Sequence, residues 1–375
     1  GMDPWWKAIV GVDPVAWQLS DKFKLPILTE AELKDAVKGT WFPVHALGYN
    51  WAESNADSGA LMASRIKRLI SDYQAMGFNC EKVILVTHSM GGLVARAVVH
   101  PKIGAAQDLV LGVVHGVMPA IGAAAAYKRM RCGFGESSMD VAAKVIGNHG
   151  SEITAVLGNS PGGLQLLPSK AYGKGWLTLM HKGKVLKSLP LSGDPYAEIY
   201  KNSTAWYRLI REDWLNPAGL RTSSLERTYG YLEDAKVFHD MLEKVYHPMS
   251  FAHYGCDSAR QSFHTVSWVI EPNAVFSSVD DLSTHSDNSQ GALELQGKDL
   301  TVLRGPYAPA KVAKVSLTPP ADPGDETVPM YSADHQLRSG GFKGVFRQTG
   351  YEHQASYANP KALHSTLYSI VRIAQ

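Results

Sequence analysis

The chain has 375 residues, 45% hydrophobic and 19% charged, which is enough apolar side chain to fill a core and excludes a disordered chain. Lysine and arginine (37) nearly balance aspartate and glutamate (35), so the formal net charge is +2 and no electrostatic footprint for nucleic acid is expected. No apolar run approaches the roughly 20 residues of a membrane-spanning helix.

At the N-terminus, Gly1 to Trp6 shows no basic stretch followed by an apolar one, so no Sec signal is expected, and Gly1 ahead of Met2 reads as a cloning scar. A cytoplasmic address and export by a signal-independent route are both compatible. The three cysteines, Cys80, Cys132 and Cys256, are too few for a disulfide framework and are not at zinc-knuckle spacing.

Leu61, Ile66, Leu69, Ile70, Tyr73 and Met76 recur at helical spacing, and Gly77 is a natural stop. Val83 to Val86 is a continuous apolar run, β-branched except at Leu85, that predicts a strand buried on both faces of a parallel sheet. A helix over 91–99 and a strand over 109–114 follow, and this helix–strand order implies a βαβ-type sheet. Residues 116–240 carry weak strand signals and many aromatics, Tyr196, Tyr200, Trp206, Tyr207 and Trp214 among them. They read as a mainly helical insertion, either a cap over a binding pocket or a second packing layer. The sheet is expected to resume at 251–254 and 265–270, with further strands at 313–317 and 344–348 and a surface loop over 277–290. The domain reading is therefore a core of 1–115 and 241–375, with an inserted cap or lid of 116–240. The chain closes in a helix capped by Asn359 and Pro360, with Leu363, Leu367, Ile370 and Val371 along one face.

The strongest chemical signal is Val83-Ile84-Leu85-Val86-Thr87-His88-Ser89-Met90-Gly91-Gly92. A strand enters, a serine sits on a tight turn and a helix leaves, the arrangement that lifts a hydroxyl above a sheet edge. Gly91 supplies the small residue two positions on, while Thr87 stands where a glycine is usual. The N–H of Met90, at the positive end of that helix, is the expected oxyanion donor. His88 is expected to pack beneath the turn. An acid should follow, then a histidine. Asp325 lies in the turn Pro323-Gly324-Asp325-Glu326-Thr327-Val328-Pro329, with Glu326 and Asp322 as competitors. His353 lies between the last strand and the last helix, and is favoured over His364, which falls inside that helix. His253 and His264 read as core or strand histidines. Lys182, Lys184 and Lys187 read as a solvated hairpin, and Asp280, Asp281, His285 and Asp287 as a polar loop in preference to a metal site.

The Ser89 elbow, Gly48-Tyr49-Asn50-Trp51, Val114-His115-Gly116-Val117-Met118-Pro119 and Gly324-Asp325-Glu326-Thr327-Val328-Pro329 together resemble the lecithin:cholesterol acyltransferase-like and GPI-inositol-deacylase-like α/β-hydrolases. The resemblance covers 41–119 and 250–370. It implies an α/β-hydrolase fold, a mostly parallel sheet with helices on both faces, and an ester-cleaving enzyme. Ser89, Asp325 and His353 would be its nucleophile, acid and base, with no cofactor and no metal. A lipid or other ester would be the substrate, and transient contact with a lipid surface is compatible. A lipid acyltransferase with the same three residues, amide or thioester cleavage, and a non-catalytic binding protein of this fold remain open. The departure is the second oxyanion donor, for which no His-Gly or Pro-Gly loop precedes Trp41; Val44 to Asn50 or Ile9 to Asp13 could supply it.

Overall fold

Parallel strands bring their carboxyl ends to one edge of a sheet, and the site is built on that edge. A computed structural model describes residues 5–134, 147–303 and 309–375. It divides into two units, the first made of 1–120, 241–262 and 322–375, the second of 121–240 and 263–321.

In the first unit four strands lie in the order Val83–His88, Val110–Gly116, Ser250–Gly255 and Phe342–Gln348, every neighbouring pair parallel. The helix Gly91–Val99 is buried from Gly92 onward. It packs with Asn55–Ala75, whose Met62, Ala63, Ile66 and Ile70 form one stripe against Val94, Ala95, Val98 and Val113. The two helices approach closely because Gly59 faces Ala97, where an added Cβ would lie 2.4 Å from the alanine methyl. Gly77, at φ +87°, ends the longer helix as its position suggests.

Pro360–Ala374 contacts the strands as well, with Asn359 accepting from the Lys361 N–H as its cap. Its buried face is the expected one in part: Val371 is buried and Leu367 and Ile370 pack against core clusters, but Leu363 is 43% exposed and Ala362, Ser365, Tyr368, Ser369 and Ile373 are buried as well. Small residues permit close approach here, and Ser365 accepts from the Gln348 side chain on the neighbouring strand. The strand Val83–His88 also departs from expectation. It is an edge of the described sheet and only partly buried, with Val86 47% exposed.

The second unit holds a six-stranded mixed sheet in the order Lys184–Leu189, Leu177–His181, Val266–Ile270, Val312–Leu317, Ala292–Gln296 and Ser283–Asp287. This changes the expected division of the chain. Residues 263–321 belong with this unit, because Val266–Ile270 pairs in parallel with Leu177–His181 and antiparallel with Val312–Leu317. The stretch 277–290 is likewise more than a loop, containing the edge strand Ser283–Asp287. The lysine hairpin turns at Lys182 and Gly183, both at positive φ as a two-residue reversal requires.

Tyr196, Tyr200, Trp206 and Tyr207 are all buried within this unit, alongside Trp176 and Trp268. Trp206 meets Trp268 edge-on at 6.2 Å and Tyr196 meets Tyr200 at 5.2 Å, so these rings form the unit's own core. Cys80, Cys132 and Cys256 are free thiols. No helix among the described residues is long and apolar enough to cross a membrane.

Candidate functional site

Three of the first unit's strands deliver the site from their carboxyl ends. Ser89 follows Val83–His88 and adopts φ +52°, a left-handed conformation that costs a non-glycine residue roughly 1–3 kcal/mol. Its backbone N–H donates to the Gly116 carbonyl at 2.9 Å, tying the turn to the end of the next strand. Gly92 and Leu93 donate back to the Ser89 and Met90 carbonyls, which starts the helix and leaves Met90 at its positive end. Gly91 has ordinary room, since an added Cβ would sit 3.7 Å from Thr87 Cβ. Threonine is therefore accommodated where a glycine is usual. Gly92 is the crowded position, with Met118 Sδ at 2.4 Å from the same imagined carbon.

The strand Ser250–Gly255 runs on into Asp257–Ser262, which pairs antiparallel with Asp322–Gly324 and so presents Asp325. Gly324 is required there, because a Cβ would strike Ser262 Oγ at 2.3 Å. The Asp325 N–H donates to that same Oγ at 3.2 Å. One carboxylate oxygen of Asp325 accepts from the Thr327 and Val328 amides at 3.1 and 2.7 Å. The other meets His353 Nδ1 at 2.8 Å, and Asp325 is 1% exposed. The competing acids are otherwise engaged, Glu326 in an ion pair with Arg260 and Asp322 within the strand pair.

His353 follows Phe342–Gln348. Its Nε2 lies 2.8 Å from Ser89 Oγ, and its backbone N–H donates to the Asp325 carbonyl at 2.9 Å. A carboxylate on Nδ1 requires the proton there, which leaves a lone pair on Nε2 facing the serine hydroxyl. The structure thus brings Ser89, Asp325 and His353 together in one hydrogen-bonded line. His364 does not join them; it is half-buried and packs edge-on to Trp17 at 6.4 Å.

Of the two stretches considered for a second oxyanion donor, 44–50 is the one beside the elbow. The Tyr49 hydroxyl would lie 3.8 Å from a Cβ on Gly91, whereas Ile9 packs with Trp17, Leu28 and Tyr368. His88, expected to pack beneath the turn, is half-buried, and its Nε2 is 2.9 Å from the His353 carbonyl oxygen. His253 is buried and T-shaped to Tyr357 at 4.9 Å, and burial pushes its imidazole down to about 3.

Of the residues considered for a metal, Asp280, His285 and Asp287 have protein partners in the second unit. Asp287 meets Arg131 and Arg211, Asp280 meets Lys187, and His285 meets Gln296. No cluster of metal-ligating side chains occurs among the described residues. A cavity of about 740 Å³ between His181, Lys187, Phe276 and Asp280 also belongs to that unit, and none of Ser89, Asp325 and His353 lines it.

Residues 53–134, which include the elbow, match a family model described as a PGAP1-like alpha/beta domain. A chain in the crystal structure of the Tle4–Tli4 complex superposes with a TM-score of 0.82 at 31% identity, covering all of this chain and 76% of that one. No curated protein matches the sequence. With a relative of that identity along its whole length, and two of the parallel strands and the Ser89 turn in the matched segment, the chain belongs to the GPI-deacylase-like α/β hydrolases.

Proposed function

We propose that the protein is a serine hydrolase that cleaves carboxylic esters of lipid-like substrates. The observation that carries this reading is the continuous contact from Asp325 through His353 to Ser89, at 2.8 Å on both sides of the imidazole. His353 Nε2 takes the proton as Ser89 Oγ attacks the ester carbonyl, and Asp325 stabilises the imidazolium that forms. The tetrahedral oxyanion is held by the Met90 N–H and by a donor from 44–50. His353 then passes its proton to the leaving alcohol. Water, activated by the same imidazole, releases the acyl group from Ser89.

The lipid-like substrate class rests on family membership. The test is a panel of p-nitrophenyl esters of increasing acyl length beside phospholipid and triglyceride dispersions, with wild-type protein and Ser89→Ala. Hydrolysis of at least one lipid ester, reduced by about 10³ or more in the variant, is the expected result. Unchanged turnover in Ser89→Ala would end the proposal. Transfer of the acyl group to an added lipid alcohol in preference to water would make the same site an acyltransferase.

A further inference from the structure

We propose that His88 is a positioning residue: its Nε2–H clamps the His353 carbonyl and thereby sets the distance between His353 and Ser89. The inference rests on the reading of Ser89 and His353 as the reacting pair. A carbonyl oxygen only accepts, so the 2.9 Å contact requires the proton on His88 Nε2. That contact joins residues 265 positions apart, across the gap between the elbow and the loop that carries the imidazole.

The loop has other ties, among them the Gly350 N–H, which donates to an Asp257 carboxylate oxygen at 2.9 Å. The His353 N–H donates to the Asp325 carbonyl at 2.9 Å, and the Tyr357 hydroxyl donates to the Thr87 carbonyl at 2.8 Å. Thr87 and His88, the two residues before the nucleophile, thus hold the loop at two points. A Cβ on Gly116 would lie 2.5 Å from the Tyr357 hydroxyl and 2.8 Å from His253 Nε2, so the layer beneath Tyr357 is closely packed at that point.

A histidine suits this place better than a cationic donor. The His88 and His353 rings are 5.1 Å apart, so a charge on His88 would oppose the imidazolium that must form on His353. His88 faces His353 and Glu352 on the histidine loop, Asp325 on the acid turn, Tyr357, and His253 on the strand Ser250–Gly255. Burial outweighs the two acids and pushes its imidazole below the ordinary histidine range, keeping it an uncharged donor.

The test compares His88→Leu with His88→Gln, whose side-chain amide restores a donor at similar reach, on a soluble p-nitrophenyl ester. His88→Leu should lower kcat about 10- to 100-fold with KM within about twofold, and His88→Gln should recover most of that loss. A merely structural role would move the unfolding midpoint and leave no such split. Near wild-type kcat in His88→Leu, or equal losses in both variants, would overturn the proposal. Nitrogen-15 imidazole spectra of the folded wild-type protein give an answer that no variant's folding can cloud. They should show His88 as the neutral Nε2–H tautomer from about pH 6 to 8, and a charged or Nδ1–H form would contradict it. Ser89→Ala and His353→Ala are assayed beside them. If those two retain turnover, the underlying reading fails; if they lose it and His88→Leu does not, only the clamp fails.

Discussion

Each unit of the molecule buries a carboxylate against a basic side chain, and the two pairs are close to identical in geometry. In the first, Asp325 meets His353 at 2.8 Å with exposures of 1% and 2%. In the second, Asp287 meets Arg131 at 2.9 Å with side-chain exposures of 4% and 0%. What separates them is what lies beyond the basic group. His353 ends on a serine hydroxyl held at positive φ. Arg131 ends on the Trp206 and Arg208 carbonyls, between the faces of Trp214 and Trp268, with Arg211 sharing its acid. An imidazole exchanges a proton near neutrality and a guanidinium does not. Burial and charge pairing alone therefore do not make a reactive site. On the proposed reading, what adds reactivity is a titratable imidazole next to a serine held at positive φ.

The sharpest way to break this comparison is to remove the charge from each acid in turn. Asp325→Asn should lower turnover by about 10²–10⁴, with the unfolding midpoint little changed, because the asparagine still accepts from the turn amides. Asp287→Ala should do the opposite to its own unit, destabilising it by about 3–5 kcal/mol because Arg131 is left as an uncompensated buried charge. Activity assays and thermal unfolding on the two proteins read both outcomes. A stability loss at Asp325 equal to that at Asp287 would erase the distinction.

A smaller effect separates Gly116 from Gly91. Gly116→Ala pushes a methyl into Tyr357 and His253 and should cost about 1–3 kcal/mol, whereas Gly91→Ala, with its nearest neighbour at 3.7 Å, should stay within about 0.5 kcal/mol. Denaturant titration measures both.

The pH dependence of stability sharpens the comparison in its own way, since the first unit buries neutral histidines. Burial pushes His115 and His253 down to about 3, well below the ordinary value of about 6.5. As pH falls below about 6.5 the unfolded chain takes up protons that the folded one refuses, so stability is fully present above that value and is lost toward pH 3. Each histidine contributes a slope of up to about 1.4 kcal/mol per pH unit. His253→Phe should flatten this acid-side slope in unfolding curves taken between about pH 4 and 7; an unaltered slope would mean that His253 does not stay neutral in the fold.

Much of this was legible in the sequence where strand, turn and helix are contiguous. The elbow at Ser89, the helix Gly91–Val99 and the capped final helix are local patterns, and the structure has each where its residues predict it. The histidine loop was placed by its position between a strand and a helix. Periodicity could not say which sheet a strand joins. Val266–Ile270 and Val312–Leu317 have the same β-branched character as the strands of the first unit, and only their partners distinguish them. Nor could it show the Arg131–Asp287 pair or the His88–His353 contact, which join residues 156 and 265 positions apart and exist only once the chain is folded. The exposed Val86 was misread for a related reason, since a β-branched run reads alike at a sheet centre and at its edge.

The most direct measurement of the central claim is active-site labelling of folded protein with a fluorophosphonate, followed by peptide mass spectrometry. A hydroxyl activated by a carboxylate-held imidazole predicts one adduct, on Ser89, absent in Ser89→Ala and strongly slowed in His353→Ala. Labelling at another residue, or folded protein that takes up no probe, would contradict it.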